Sequence, residues 1–129
     1  MRVFLTIMLL FLISACNVQI GTEFKAIEVG RNNMSPENAS PDVYKVLHET
    51  DDFIILEVIF EPGQGDNLHT HADMFYYVVE GGQMQVTNEE GEVFTAELKS
   101  GDFQIQGSTT HQVTNIGSTR ARIIAVEEK

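Results

Sequence analysis

Residues 63–81 read GQGDNLHTHADMFYYVVEG, and residues 101–115 read GDFQIQGSTTHQVTN. In the first stretch His69 and His71 stand two apart, directly before an apolar and aromatic run. A β-strand turns successive side chains to opposite faces, so residues i and i+2 share one face. On a strand, the two imidazoles therefore project side by side into one space. That arrangement suits two neighbouring positions on a metal ion, with nitrogen ligands at about 2.0–2.1 Å in the zinc case. A solvated polar strand can carry the same pair, so the surrounding pattern decides between the two.

That pattern is β throughout. From Asp42 onward, short runs rich in Val, Ile, Leu and Phe alternate with turn residues: 43–48, 53–60, 68–71, 75–80, 83–87, 92–98, 102–106, 111–116 and 119–126. Glu49-Thr50-Asp51-Asp52 and Asn88-Glu89-Glu90-Gly91 are hairpin signals, and Gly81-Gly82 and Gly117-Ser118 are further turns. No helical period runs through this region. Many short strands with regular turns predict an all-β sandwich or barrel. The preceding segment 30–41, with prolines at 36 and 41, reads as a loop or tether.

The order Gly63, five residues, His69-Thr70-His71, then Tyr77-Val78-Val79-Glu80-Gly81 resembles the first motif of the cupin superfamily. Gly101-Asp102, with His111 and Asn115 further on, is similar to the second; Gln106 and Ser108 stand where that family usually has Pro and Gly. The resemblance spans about Asp42 to Val126. It implies an all-β, cupin-type double-stranded β-helix (a jelly-roll barrel) as a single domain over residues 42–127. It also implies a divalent metal ion on His69, His71 and His111, with Fe, Zn, Mn, Ni and Cu all open. The family's metal-binding Glu has no counterpart: its place falls at Met74, and the nearest carboxylate is Asp73. Three His with water, or three His with Asp73, remain alternatives. A thioether at Met74 would favour Cu(I) over a hard ion, or simply fill the barrel. The fourth histidine, His48, is expected to be solvated. Tyr76 and Tyr77 must face opposite ways, and Gln104 and Gln106 share one face of their strand.

The N-terminus reads differently. Arg2 precedes the apolar run VFLTIMLLFLI (3–13), followed by Ser14-Ala15-Cys16. A charge, a short apolar run and small residues make a secretory signal peptide over 1–15; the run is too short to span a bilayer. Ile13-Ser14-Ala15-Cys16 resembles a bacterial lipobox, which implies lipidation of Cys16, the only cysteine, and attachment to the cell-envelope membrane. Residues 16–41 are then a lipidated segment and linker, with a short strand at 23–29.

Formal net charge is −11, and removal of residues 1–15 takes one arginine and no carboxylate, leaving −12. Such a surface repels phosphate backbones, which argues against nucleic acid as a partner. The fold resemblance fits several functions. One is a metal-dependent envelope enzyme acting on a small oxygen-rich compound, such as a sugar acid or a keto or hydroxy acid, by isomerase, lyase or dioxygenase chemistry. The alternative is a non-catalytic lipoprotein module that binds a small ligand or metal. A homodimer is implied by resemblance to small cupins.

Overall fold

The strand Phe53–Phe60 shows how this chain sorts its residues: Ile54, Leu56, Val58 and Phe60 are buried, and the residues between them are not. This period-two alternation marks a strand with one face on a core. In the computed structural model, which describes residues 34–129, the same logic repeats through nine strands. They are β1 (Tyr44–Glu49), β2 (Phe53–Phe60), β3 (His69–His71), β4 (Met74–Glu80), β5 (Gly82–Asn88), β6 (Val93–Leu98), β7 (Phe103–Gln106), β8 (Thr109–Asn115) and β9 (Ala121–Glu128). The leader, Cys16 and the strand expected at 23–29 lie outside the described residues.

The strands form two antiparallel sheets, one ordered β1-β2-β9-β4-β7 and the other β3-β8-β5-β6. Their inner faces enclose a core built on Ile54, Leu56, Val58, Phe60, Met84 and Ala125. Fully burying a side chain such as Leu56 contributes roughly 1.5–3 kcal/mol. Chain neighbours do not always pair. β4 and β5 belong to different sheets, and the chain crosses at Gly81, where a Cβ would strike the Leu98 carbonyl oxygen. β8 and β9 are likewise split between the sheets, so the Gly117-Ser118 turn is a crossover rather than a hairpin. The turns 49–52 and 88–91 do join paired strands.

All nine strands expected from the sequence are present, with ends shifted by one or two residues, the larger shifts falling in β8 and β9. β8 starts at Thr109, because Thr109 and Thr110 pair with His71 and Thr70. β9 starts at Ala121, since Thr119 is held in the turn by the Asn115 side-chain amide (2.8 Å to the Thr119 carbonyl). It then runs on to Glu128, paired with Phe53.

Residues 36–39, expected within a loop or tether, form one helical turn, α1 (Pro36–Ala39). Proline suits a first helical position because its φ is preset and its missing N–H has no partner to lose there. The turn is docked: Thr70 N donates to the Met34 carbonyl (2.7 Å), and Asn67 donates from its backbone N to Ser40 Oγ (2.8 Å) and from its side chain to the Ala39 carbonyl (2.6 Å). This fixes the loop leading into His69.

Candidate metal centre

β3 is only three residues long, and its pattern is buried, half-buried, buried: His69 and His71 face in and Thr70 faces out. β3 pairs with β8 so that His69 lies opposite His111. The strand period thus supplies two imidazoles and the cross-strand register the third. Ring centroids are 4.6 Å (His69–His71), 4.8 Å (His69–His111) and 5.0 Å (His71–His111) apart. One ligand nitrogen from each of the three lies within 4.8 Å of the others, and among the described residues no other group of His, Cys, Asp or Glu gathers in this way.

Neighbouring acceptors fix the tautomers. His69 Nδ1–H donates to the Asn67 carbonyl (2.8 Å), and His71 Nδ1–H donates to Glu127 Oε1 (2.6 Å). Both partners are acceptors only, so each ring presents a lone pair on Nε2. Those two Nε2 atoms stand 2.8 Å apart. Two lone pairs facing each other at that distance need a shared proton or a cation between them. A divalent ion meets that need and uses the third imidazole as well, so the donor set fits the metal.

Burial lowers the proton affinity of His69 and His111. His69 is brought down to about 4, mainly by desolvation and then by His71. His111 is brought down to about 3 by desolvation, then His71 and His69. Both are neutral at pH 7, the form that binds metal.

Around the rings lie three groups that the sequence did not single out. Glu127, fully buried, holds His71. Tyr44 Oη is 3.1 Å from His69 Nε2 and donates to Asp66 Oδ2 (2.8 Å). Asp66 Oδ1 accepts the Val113 N–H (2.6 Å). Burial pushes the Asp66 carboxyl up to about 6, against the opposing pull of the Val113 N–H and the Tyr44 hydroxyl. Glu127 was detectable in principle. It shares the inward parity of Ala121, Ile123 and Ala125, but only if β9 continues past Val126.

Asp73 does not join the cluster. Its Oδ1 accepts the Ser108 N–H (2.8 Å), and Asp73 is not among the residues whose ligand atoms gather with the three rings. Met74 is buried and lines the cavity beside His71. It also pairs directly with Glu127 across β4 and β9, so a carboxylate stands one strand over from the position that the family's Glu would take. His48 is exposed on β1, as expected. Tyr76 faces the cavity and Tyr77 the outside, while Gln104 and Gln106 both line the cavity.

A cavity of about 440 Å³ opens from the imidazoles into the barrel. A two-sheet barrel with metal-binding imidazoles at one end of an internal cavity is the architecture of the cupins. The family model described as "Cupin domain" matches residues 56–127, more than half of the chain, and the chain belongs to that family. Among solved structures, it is similar to a cupin domain from Bordetella pertussis (21% identity, TM-score 0.61, covering 67% of this chain and 92% of that one). It is also similar to an RmlC-like cupin with a double-stranded β-helix fold from Methanocaldococcus jannaschii (19%, 0.53, 67% and 78%). A third similar structure is a sugar phosphate isomerase of the cupin superfamily from Silicibacter pomeroyi (21%, 0.51, 74% and 65%). At these identities the likeness shows the fold alone. No curated protein sequence matches the chain.

Proposed function

We propose that this cupin is a metal-dependent enzyme of the bacterial cell envelope, held to the membrane through Cys16 and acting on a small oxygen-bearing compound. The observation that carries the reading is the pair of facing Nε2 lone pairs, with His111 beside them, at the end of an open cavity. A divalent ion held by His69, His71 and His111 would supply Lewis acidity toward a carbonyl or enolate oxygen of a sugar acid or a keto or hydroxy acid, as isomerase, lyase or dioxygenase chemistry requires. The protein's own part is orientation. Asn67 and Glu127 lock the two rings of β3, and Val86, Val113, Met84 and Ile123 line the cavity beyond them with hydrocarbon.

One observation favours the second reading, a binding module without turnover. The buried carboxylates nearest the rings, Asp66 and Glu127, are both engaged, and neither lines the cavity. Elemental analysis of the purified full chain, followed by a turnover screen, separates the readings. We expect about one metal per chain. His69→Ala, His71→Ala and His111→Ala lose it, and His48→Ala keeps it. Metal retained in His111→Ala but lost in His48→Ala would refute the site. For the anchor, Cys16→Ser should abolish labelling with a clickable fatty acid in a bacterial host; equal labelling rules the anchor out.

A further inference from the structure

The register of the strands sorts the inward-facing side chains in and around the cavity by depth. At the imidazole end, β3, β8 and β5 place His69, His111 and Asn88 in one row. The facing row is Gln106, Met74 and Glu127, from β7, β4 and β9. Two residues further along each strand, on the same faces, come Val113, Val86 and Phe94 on one side and Gln104, Tyr76 and Ala125 on the other. Another two residues on are Met84 and Ala96, facing Ile123 and Val58. At about 3.3 Å per residue these rows span roughly 13 Å. In the cavity lining, polar groups are therefore gathered at the metal end and the first row beyond it: Tyr44, which pairs with Val58, sends its hydroxyl back to His69, and Asn115, which pairs with Met84, does not line the cavity and spends its amide on the Phe60 and Thr119 carbonyls. In that first row, Tyr76 Oη donates to Gln104 Oε1 (2.9 Å), so the two polar groups partly satisfy each other.

Charge is absent in the same way. Among the described residues no Lys, Arg, Asp or Glu lines the cavity. Arg120, Arg122 and Lys129 are committed to Glu80, Glu57 and Glu49 on the surface. A phosphate or carboxylate carried into the deep rows would lose its hydration and gain no partner, which is costly. The imidazole end, once metal-bound, is the one place in the lining where anionic oxygen is welcome.

We infer that the ligand is a compound with one oxygen-bearing, metal-chelating head and an uncharged hydrocarbon body. The head sits at His71 and His111, and the body lies against Val86, Val113, Met84 and Ile123. This rests on the metal-site reading above. Of the classes named there, it selects keto or hydroxy compounds with a hydrocarbon body over sugar acids and phosphosugars. The cavity volume is at the small end of the roughly 300–1,000 Å³ usual for small-molecule sites, so the body is short.

Straight-chain hydroxamic acids test this, because they hold the chelating head constant while the tail grows. The full-length chain is loaded with zinc, and its metal content is measured before any probe is added. Acetohydroxamic, butyrohydroxamic and hexanohydroxamic acids are then titrated by calorimetry, with the chelator-stripped chain as blank. The expected result is a dissociation constant that falls about fourfold for each added methylene, the value of burying one such group. Gluconate should fail to displace the hexanoyl probe. A flat series, or gluconate competing as well as hexanohydroxamate, overturns the inference while leaving the metal site standing. A chain that takes up no zinc overturns the metal-site reading itself, and this inference with it.

Discussion

Replacing Glu127 by glutamine removes a charge from the site and almost nothing else. The side chain is fully buried, its Oε1 lies 2.6 Å from His71 Nδ1, and glutamine has the same shape and keeps one acceptor oxygen. Hydrogen bonds to a charged partner are worth about 1.5–3 kcal/mol and roughly twice their neutral counterparts. Exchanging one for the other therefore costs on the order of 1–1.5 kcal/mol of His71 basicity and alignment, or about tenfold in metal affinity. That falls at the lower end of the 10–100-fold range typical for carboxylates behind a ligating histidine. Glu127→Ala, which also strands the Nδ1–H, should lie nearer the upper end. The assay is a competition titration against a chromophoric chelator, with thermal melts of the metal-free chain to show that the fold persists. Because Met74 pairs with Glu127 across β4 and β9 and is buried on the same face, Met74→Glu in the Glu127→Gln background should recover part of the loss. A Glu127→Gln chain that binds metal as tightly as the wild type would show the carboxylate to be a packing feature and refute this reasoning.

Two further outcomes follow from the same geometry. With His69 at about 4 and His111 at about 3, protons should begin to displace metal from these two rings nearer pH 4 than the 6.5 of a free imidazole, as a pH series of metal titrations would show. For the metal-free chain, the unfolded state takes up protons at these two positions below about 6.5 while the folded state does not. Their contribution to stability is therefore complete above 6.5 and is lost as the pH falls toward 4. Asp66, raised to about 6, works the other way between 6 and 4 but is one group against two. Urea unfolding from pH 7.5 to 4.5 in the presence of chelator should show falling stability, and a rise would contradict the assignment. On the outer face of the five-stranded sheet, Phe103 and Ile105 are 69% and 82% exposed on the edge strand β7, with Phe75 and Tyr77 beside them on β4. An apolar strip on an unpaired edge invites a second copy. Sedimentation should show a homodimer that Ile105→Lys weakens at least tenfold, and a monomeric wild type would dismiss this.

The sequence by itself determined the nine strands, the inward pair His69 and His71, and the match of His111 to a motif. Alternation and turn chemistry are local properties, readable wherever a strand has one buried face. Residues 36–39 escaped that reading because a single proline-led turn has no period, and its docking depends on a loop some thirty residues away. The tertiary structure alone decided which carboxylates matter. Asp73, next to the histidines in sequence, is turned toward Ser108, whereas Glu127, 56 residues beyond His71, reaches it because β9 lies beside β4 and continues to Glu128. Asp66 and Tyr44 meet His69 through the same kind of long-range closure. Strand period fixes which face a side chain takes. Which strands become neighbours, and in what register, is set by how the two sheets close around a shared core, and no local pattern in the chain encodes that.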